Sequence, residues 1–467
     1  MHSQVNSHMN LQRQSFFAEQ LLSEEGWQSS KFINVDDQGI IVSITDVAET
    51  QCKTSFKGAV IPGMINLHSH AFQRSLVGRT GLKGATDDSF WSWREAMYQQ
   101  LGQMDPGIIE AITAYCYMEL LQGGYTSVAE FHYLHHQAGG APYADPAETS
   151  RRILAAAETA GIGLTILPVL YSWAGFGQQP LAQRQTPFGH GIDSYLDLLD
   201  SLDKHCKEAA LSDWGVAPHS LRAVDQVQLH ELLDTLARKK FSGPLHIHIA
   251  EQQQEVADCI NFYGARPVQW LLDNLPVNEN WCLVHATHVN EEELEMMQRA
   301  GVVAGLCPTT EADLGDGIFP ASRWQELGGA WGIGSDSNLC VNAPEELRLL
   351  EFGQRLRDQQ RNLMAAPGET VGAELYASAL SGGLQALAKP PARGFTPGQR
   401  ADFLVLNQNH PLLMGKEKDQ LLDTWVFAGS AEMLSQVWVA GQCRVKNGRH
   451  IEKDKIESEW RRRVVKY

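Results

Sequence analysis

Residues 59–70 read AVIPGMINLHSH, an apolar run that ends in the triplet His68-Ser69-His70. Successive side chains of a strand alternate between its faces, so positions i and i+2 share a side. Two imidazoles at the end of this run therefore converge on one point without help from a turn. The run is continuously apolar and not alternating, which predicts a strand buried on both faces, as in parallel sheets.

Seven more short runs follow the same pattern: 125–131 ending at His132, 162–170 ending at Tyr171, 214–218 ending at His219, 244–249 (PLHIHI), 281–284 ending at His285, 302–307, and 330–335 ending at Asp336. Helix-like stretches separate them. Asp105-Pro106 is an N-cap followed by proline at the first helical position and predicts a helix over 106–122 that stops at Gly123-Gly124. Residues 291–300 carry acids in the first turn and stop at Gly301. Strand–helix units repeated eight times over roughly 60–390 predict an α/β fold, a (β/α)8 TIM-like barrel somewhat longer than the ~250 residues typical of one. In such barrels, polar residues at the C-terminal ends of the strands build the active site.

The chain ends differ. Segment 30–60 alternates like β-strand (KFINVDDQGIIVSI), with a turn at Asp36-Asp37-Gln38-Gly39, and segment 395–448 does likewise. They predict a small composite β-sandwich built from both ends, giving three divisions: 1–59, 60–392 and 393–467.

The 467 residues carry a formal charge of −17, with 43% hydrophobic and 20% charged residues. Such an acidic chain is a poor partner for nucleic acid or an anionic membrane, and an anionic substrate would need a local cluster of Arg or His. The eight cysteines include no Cys-x-x-Cys pair and read as buried free thiols of a reducing compartment. Met1–Gln14 is polar and has no apolar signal core. No apolar run approaches the ~20 residues of a membrane span. The expectation is a soluble cytoplasmic protein.

The strand ends bring together a metal-type ligand set. His68 and His70 follow the first run. His246 and His248 share one side of the fifth; only one need be a ligand, and His248, nearer the C-terminal end, is favoured. His285 ends the sixth run and Asp336 the eighth. Neutral imidazoles with a carboxylate suit Zn²⁺ and leave room for a water, while Fe²⁺ or Mn²⁺ could occupy the same set. No lysine occurs in 162–171 or 214–222 to bridge a second ion, which favours one metal. A metal lowers the pKa of bound water to about 7 and so yields hydroxide at neutral pH. Hydroxide attack on an amidine-like carbon gives a tetrahedral centre whose nitrogen must gain a proton to leave as ammonia. Glu251, three residues past His248, is the candidate proton shuttle. His285 could polarise the substrate or hold the water, and Asp336 could bind the metal and accept a proton.

At these residues the chain resembles the amidohydrolase superfamily over roughly 30–450, with PGMINLHSH, HIHIAE, LVHATH and GSDS in the family's order. Within its aminohydrolase branch the likeness sharpens at His68–Arg74, Ala129-Glu130-Phe131-His132-Tyr133, Cys307-Pro308-Thr309-Thr310-Glu311 and Gly334-Ser335-Asp336-Ser337. The resemblance implies zinc on His68, His70, His248 and Asp336, with Glu251, His285 and Asp336 catalytic. It implies a homodimer and hydrolysis of the linear amidine N-formimidoyl-L-glutamate to N-formyl-L-glutamate and ammonia. For that small dicarboxylate it points to His219 and Arg222 after the fourth strand, to Arg94 in the aromatic stretch 90–94, and to Gln73 and Tyr133 as neutral hydrogen-bonding partners. Arg can grip a carboxylate bidentately. Arg74 is read as structural, and His135, His136 and His190 as loop or surface residues. Two other readings are a relative acting on a purine, pyrimidine or triazine, which expects aromatic stacking and fewer arginines, and a non-catalytic scaffold, which expects missing ligands.

Overall fold

The computed structural model describes residues 12–81, 90–102 and 104–465. Residues 1–11 of the polar N-terminal stretch lie outside them. The chain begins with four strands, β1 (Gln14–Ser23), β2 (Gly26–Val35), β3 (Ile41–Thr45) and β4 (Cys52–Pro62). Next come β5 (Met64–Ser69), β6 (Tyr125–His132), β7 (Gly163–Leu170), β8 (Ser212–Trp214) and β9 (Ala217–Pro218). Then follow β10 (Leu245–Ile249), β11 (Trp281–His285), β12 (Val303–Leu306) and β13 (Ala330–Ile333). The last are β14 (Phe403–Leu406), β15 (Leu434–Val439), β16 (Gln442–Lys446) and β17 (Arg449–His450).

All the apolar runs of the central region contain strand, and helices separate most of them. β5, β6, β7 and β8 pair in parallel, with β9 also against β7, and β10 to β13 form a second parallel sheet. Two isolated parallel bridges join these sheets at both edges, Ser69 to Asp336 and Val216 to Leu245. The fold is thus of α/β type with parallel sheets.

The first apolar run is divided between two sheets. Its opening residues finish β4, which pairs with β1 and β14, and β5 starts only at Met64. Gly63 marks the crossing, because a Cβ there would sit 2.0 Å from the Thr126 hydroxyl. Both chain ends meet in one eight-stranded sheet of order β17-β16-β15-β14-β4-β1-β2-β3. That sheet curls: Ile41 at the β3 edge donates to Gln399 and accepts from Gly398, both at 2.8 Å, in the segment leading to β14. Phe16, Phe56, Phe403 and Trp438 pack inside the curl. The C-terminal division also contributes helices Asp419–Ala428 and Lys453–Arg463, which pack on helices of the central region.

Local chemistry explains the helix ends. The Asp105 side chain accepts from Ile108 N at 2.8 Å and Pro106 opens the helix Pro106–Gln122. Asn290 and Glu293 form a reciprocal capping box at the start of Glu291–Ala300, and Gly301 ends it at φ 70°. Trp324 and Trp331 are buried packing residues. All eight cysteines are free, but Cys52 is exposed and Cys340 and Cys443 are half-buried, so the expectation of uniformly buried thiols fails for three of them. Among the described residues no helix is long and apolar enough to cross a membrane.

The helix Val371–Ala386 lies hard against β13: a Cβ on Gly382 would fall 1.9 Å from the Trp331 carbonyl oxygen. Gly382→Ala is expected to cost about 2–3 kcal/mol through overpacking, read as a lower urea midpoint. An unchanged midpoint would mean that the helix has room to move away.

Candidate metal centre

His68 lies near the end of β5 and His70 just after it, His248 lies next to the last residue of β10, and Asp336 follows β13. All are buried, and one ligand-type atom from each lies within 4.8 Å of the others. His68 Nε2 is 3.0 Å from His248 Nε2 and 3.5 Å from Asp336 Oδ1, which is 3.2 Å from His70 Nε2. Two of the other ring nitrogens face backbone oxygens, His70 Nδ1 at 2.8 Å from Phe131 O and His248 Nδ1 at 3.2 Å from His219 O, while His68 Nδ1 is buried without a hydrogen-bond partner. A proton on Nδ1 of His70 and of His248 satisfies these contacts and turns their Nε2 lone pairs inward. His248 Nε2 turns its lone pair towards His68 Nε2 at 3.0 Å, a spacing that suits two nitrogens sharing one cation. Nitrogens on a tetrahedral Zn²⁺ stand about 3.3 Å apart, given Zn–N of about 2.0–2.1 Å. The donor set therefore fits a divalent ion.

Electrostatics agrees. Burial lowers His68 to about 3 and holds His248 well below its usual value, so both stay neutral as ligands must. Burial opposes charge on Asp336 too, but the adjoining imidazoles of His68 and His70 outweigh this and hold the carboxyl well below the usual range.

The backbone holds the set together. His70 N donates to Asp336 O at 2.8 Å and Asp336 N to His68 O at 3.0 Å. Asp336 has φ 43° and His285 φ 67°, left-handed values that side chains other than glycine rarely adopt. Such strain costs about 1–3 kcal/mol per residue and concentrates at functional sites.

Glu251 sits in the turn after β10. The amides of Ala250 and Glu251 donate to the Glu255 carboxylate at 3.2 and 3.1 Å, which fixes the turn. Burial raises the pKa of Glu251. His285 Nε2 is 4.0 Å from Glu251 Oε1 and 3.7 Å from Asp336 Oδ2, and its Nδ1 is 3.2 Å from Glu311 Oε1. Burial works against charge on His285, but Glu251, Glu311 and Asp336 prevail and lift it to about 10. Glu311 also accepts from Cys307 N at 2.9 Å, so its carboxylate braces the His285 side chain against the start of helix Pro308–Leu314.

One cavity gathers the remaining candidates. Gln73, Arg94, Tyr133, His219 and Arg222 line it together with His70, His248, Glu251, His285 and Asp336. Gln73 Nε2 donates to Tyr133 Oη at 2.8 Å, and Gln73 Oε1 is buried without a hydrogen-bond partner. Burial keeps His219 neutral, assisted by the charge of Arg222. Arg74 points elsewhere: it donates to Glu119 at 2.7 Å and to the carbonyls of Asn338 and Leu339, so it is structural. His246 Nε2 donates to Ala386 O at 2.7 Å, apart from the ligand cluster. Sequence reasoning missed Trp93, Met97, Tyr98, Tyr171, Phe188 and Leu314, which also line the cavity. Tyr171 carried a signal, since it ends the third apolar run where other runs end in site histidines.

Comparison with known proteins bears on these features. The amidohydrolase family matches residues 59–444. The chain is 49% identical over 437 residues to the formimidoylglutamate deiminase of Pseudomonas aeruginosa, covering 93% of this chain and 95% of that enzyme. It is similar to a crystal structure of an amidohydrolase from Brucella melitensis, with a TM-score of 0.91 and 42% identity over 97% of this chain and 99% of that one. An adenosine deaminase from Xanthomonas campestris with bound zinc shares the fold at 20% identity, with a TM-score of 0.79 over 97% and 99% of the two chains.

His135, His136 and His190 lie in loops, as one of the two expectations had it, but they are not at the surface. His135 and His190 are buried and His136 is half-buried; with His132 their rings stand 4.7–5.5 Å apart. Segments 133–136 and 189–190 fold inward here, and His135 Nε2 and His136 Nε2 bond backbone oxygens at 3.0 and 2.7 Å. Burial pushes His190 down to about 3. The unfolded chain takes up a proton at this residue near pH 6.5 and the folded chain does not until about pH 3, so stability falls as pH drops through that window. His190→Gln removes one such group. Its loss of melting temperature between pH 7 and pH 5 is expected to be smaller than that of the unsubstituted protein, and equal losses would refute the assignment.

Proposed function

The chain belongs to the amidohydrolase family, and from that premise we propose that it hydrolyses N-formimidoyl-L-glutamate to N-formyl-L-glutamate and ammonia, as a formimidoylglutamate deiminase of histidine degradation. The observation that carries the substrate is Arg222. This guanidinium is buried in the wall of the cavity that holds the ligand cluster, with no hydrogen bond or ion pair among the described residues. A buried charge without a protein partner is costly. An anionic ligand offsets that cost, and a carboxylate matches the planar fork. Arg94 lines the same cavity and takes the second carboxylate. The unpartnered Gln73 Oε1 accepts from an amidine N–H, beside Tyr133 and His219.

His68, His70, His248 and Asp336 would hold one divalent ion, Zn²⁺ by preference with Fe²⁺ or Mn²⁺ as alternatives. When bound, the ion acts as a Lewis acid that makes water a competent nucleophile at neutral pH. Glu251 accepts a proton from the attacking water while the new C–O bond forms at the amidine carbon. The same carboxyl then returns the proton to the terminal nitrogen, the C–N bond breaks, and ammonia leaves. His285, braced by Glu311, polarises the substrate, and Asp336 shares the proton traffic as well as ligation.

The finer architecture follows the same reading. The two bridged parallel sheets form one closed (β/α)8 barrel, and the curled sheet from the chain ends is the composite β-sandwich. The protein works as a cytoplasmic homodimer on a small dicarboxylate and engages neither nucleic acid nor membrane, in keeping with its charge of −17 and its free thiols.

Purified enzyme is expected to release ammonia from formimidoylglutamate and not from guanine, adenosine or cytosine; the reverse pattern would sink the substrate assignment. Glu251→Gln is expected to keep its metal, by elemental analysis, and to lose at least about 100-fold in kcat, whereas near-normal kcat would exclude the shuttle. Arg222→Ala should raise KM by roughly 10- to 100-fold with a smaller change in kcat, and an unchanged KM would put the carboxylate site elsewhere.

A further inference from the structure

The part of the cavity wall that the sequence did not reveal carries its own chemistry. Tyr98, from helix Phe90–Leu101, and Tyr171, at the end of β7, both line the cavity with Arg222. Gln185 joins them: its Nε2 donates to Tyr98 Oη at 3.2 Å and to Tyr171 Oη at 3.1 Å. The orientation of that amide is settled by its other end, since Gln185 Oε1 accepts from Ala182 N at 2.9 Å. Both phenol oxygens are thus acceptors towards Gln185. A phenol has one hydrogen to give, and no group among the described residues receives it from either tyrosine. Tyr98 and Gln185 are buried, and Tyr171 packs edge-on to His219 with ring centroids 4.7 Å apart, so neither hydroxyl turns freely into bulk water. The Arg94 guanidinium carbon lies 5.7 Å from the centre of the Tyr98 ring, which places a second cation on the same wall. Burial raises Tyr98 to about 12, so the phenol keeps its hydrogen at neutral pH.

The cavity is therefore polarised. Carboxylates of Glu251 and Asp336 sit with the histidines, while two guanidiniums and the phenols of Tyr98, Tyr133 and Tyr171 line the remainder, the Tyr133 hydroxyl being engaged by Gln73 and Met97. A ligand with an amidinium at one end and carboxylates at the other fits this division, and a neutral or purely cationic amidine leaves the phenols of Tyr98 and Tyr171 unpaired. We infer that Tyr98 and Tyr171 donate their phenolic hydrogens to a substrate carboxylate alongside Arg222, and that Gln185 is the positioning residue that turns both hydroxyls towards it. The inference rests on the formimidoylglutamate reading and extends it to residues that set which amidines are accepted.

The test compares the unsubstituted enzyme with Tyr98→Phe/Tyr171→Phe and Gln185→Glu. Three quantities are read: kcat and KM for formimidoylglutamate, kcat/KM for N-methylformamidine, which has no carboxylate, and the calorimetric Kd of N-formyl-L-glutamate. For the double phenylalanine variant, KM and Kd are expected to rise about tenfold or more, with kcat within about threefold. The ratio of kcat/KM on formimidoylglutamate to that on N-methylformamidine should fall by a similar factor. Gln185→Glu is expected to weaken N-formyl-L-glutamate binding at least as much, because its carboxylate captures the phenolic hydrogens and adds a like charge. Unaltered Kd in folded, metal-loaded variants, or equal losses on both amidines, overturns the inference alone. Failure of the unsubstituted enzyme to turn over formimidoylglutamate overturns the functional reading, and this inference with it.

Discussion

The site depends on one pair of backbone hydrogen bonds, His70 N to Asp336 O and Asp336 N to His68 O. They tie the end of the first central strand to the segment after the last one, residues far apart in the chain. Three of the clustered ligand residues hang from these two short pieces of backbone. The approach is close enough that Gly334 admits no side chain, since a Cβ would fall 2.8 Å from the His68 carbonyl oxygen. Asp336 accepts a left-handed backbone conformation as part of the same arrangement. The strain is local, and the sheet and its helices bear it, which is how a folded core fixes ligand positions that an isolated loop would not hold.

Much of this was legible before any coordinates. The apolar runs and their polar terminal residues marked the strands and the rim, because period and burial leave their imprint on local sequence. His68, His70, His248, Glu251, His285 and Asp336 were found for that reason. What escaped was non-local. The run 59–67 looks like one strand, yet it serves two sheets, since nothing in local hydrophobicity distinguishes neighbours on either side of Gly63. His135 and His190 have no spacing that brings them to the ligand set and read as loop or surface residues; they are in loops, and their burial depends on how those two loops fold inward. Tyr98 and Gln185 lie in segments with no strand signal, and only the folded chain brings them to Tyr171.

The bulk charge and the local charge of the protein point in opposite directions. A net −17 would repel a dicarboxylate at long range, and salt screens that repulsion over about 8–10 Å. The cavity wall adds positive charge at short range, from Arg94 and Arg222, opposite the carboxylates of Glu251 and Asp336. Under the proposed function, selectivity for the dicarboxylate belongs to the wall and not to the molecule as a whole.

The sheet shared by both chain ends has a consequence for how the protein is made. On the ribosome, β1 to β4 emerge first, and one edge of β4 waits for β14, whose residues follow more than 300 positions later. Until then the nascent chain presents an open strand edge at Val60-Ile61-Pro62, the kind of edge that pairs with neighbours when left uncovered. Synthesis of the central region thus proceeds with an unfinished sheet at its back, and translation speed and chaperone supply bear directly on the yield of folded enzyme.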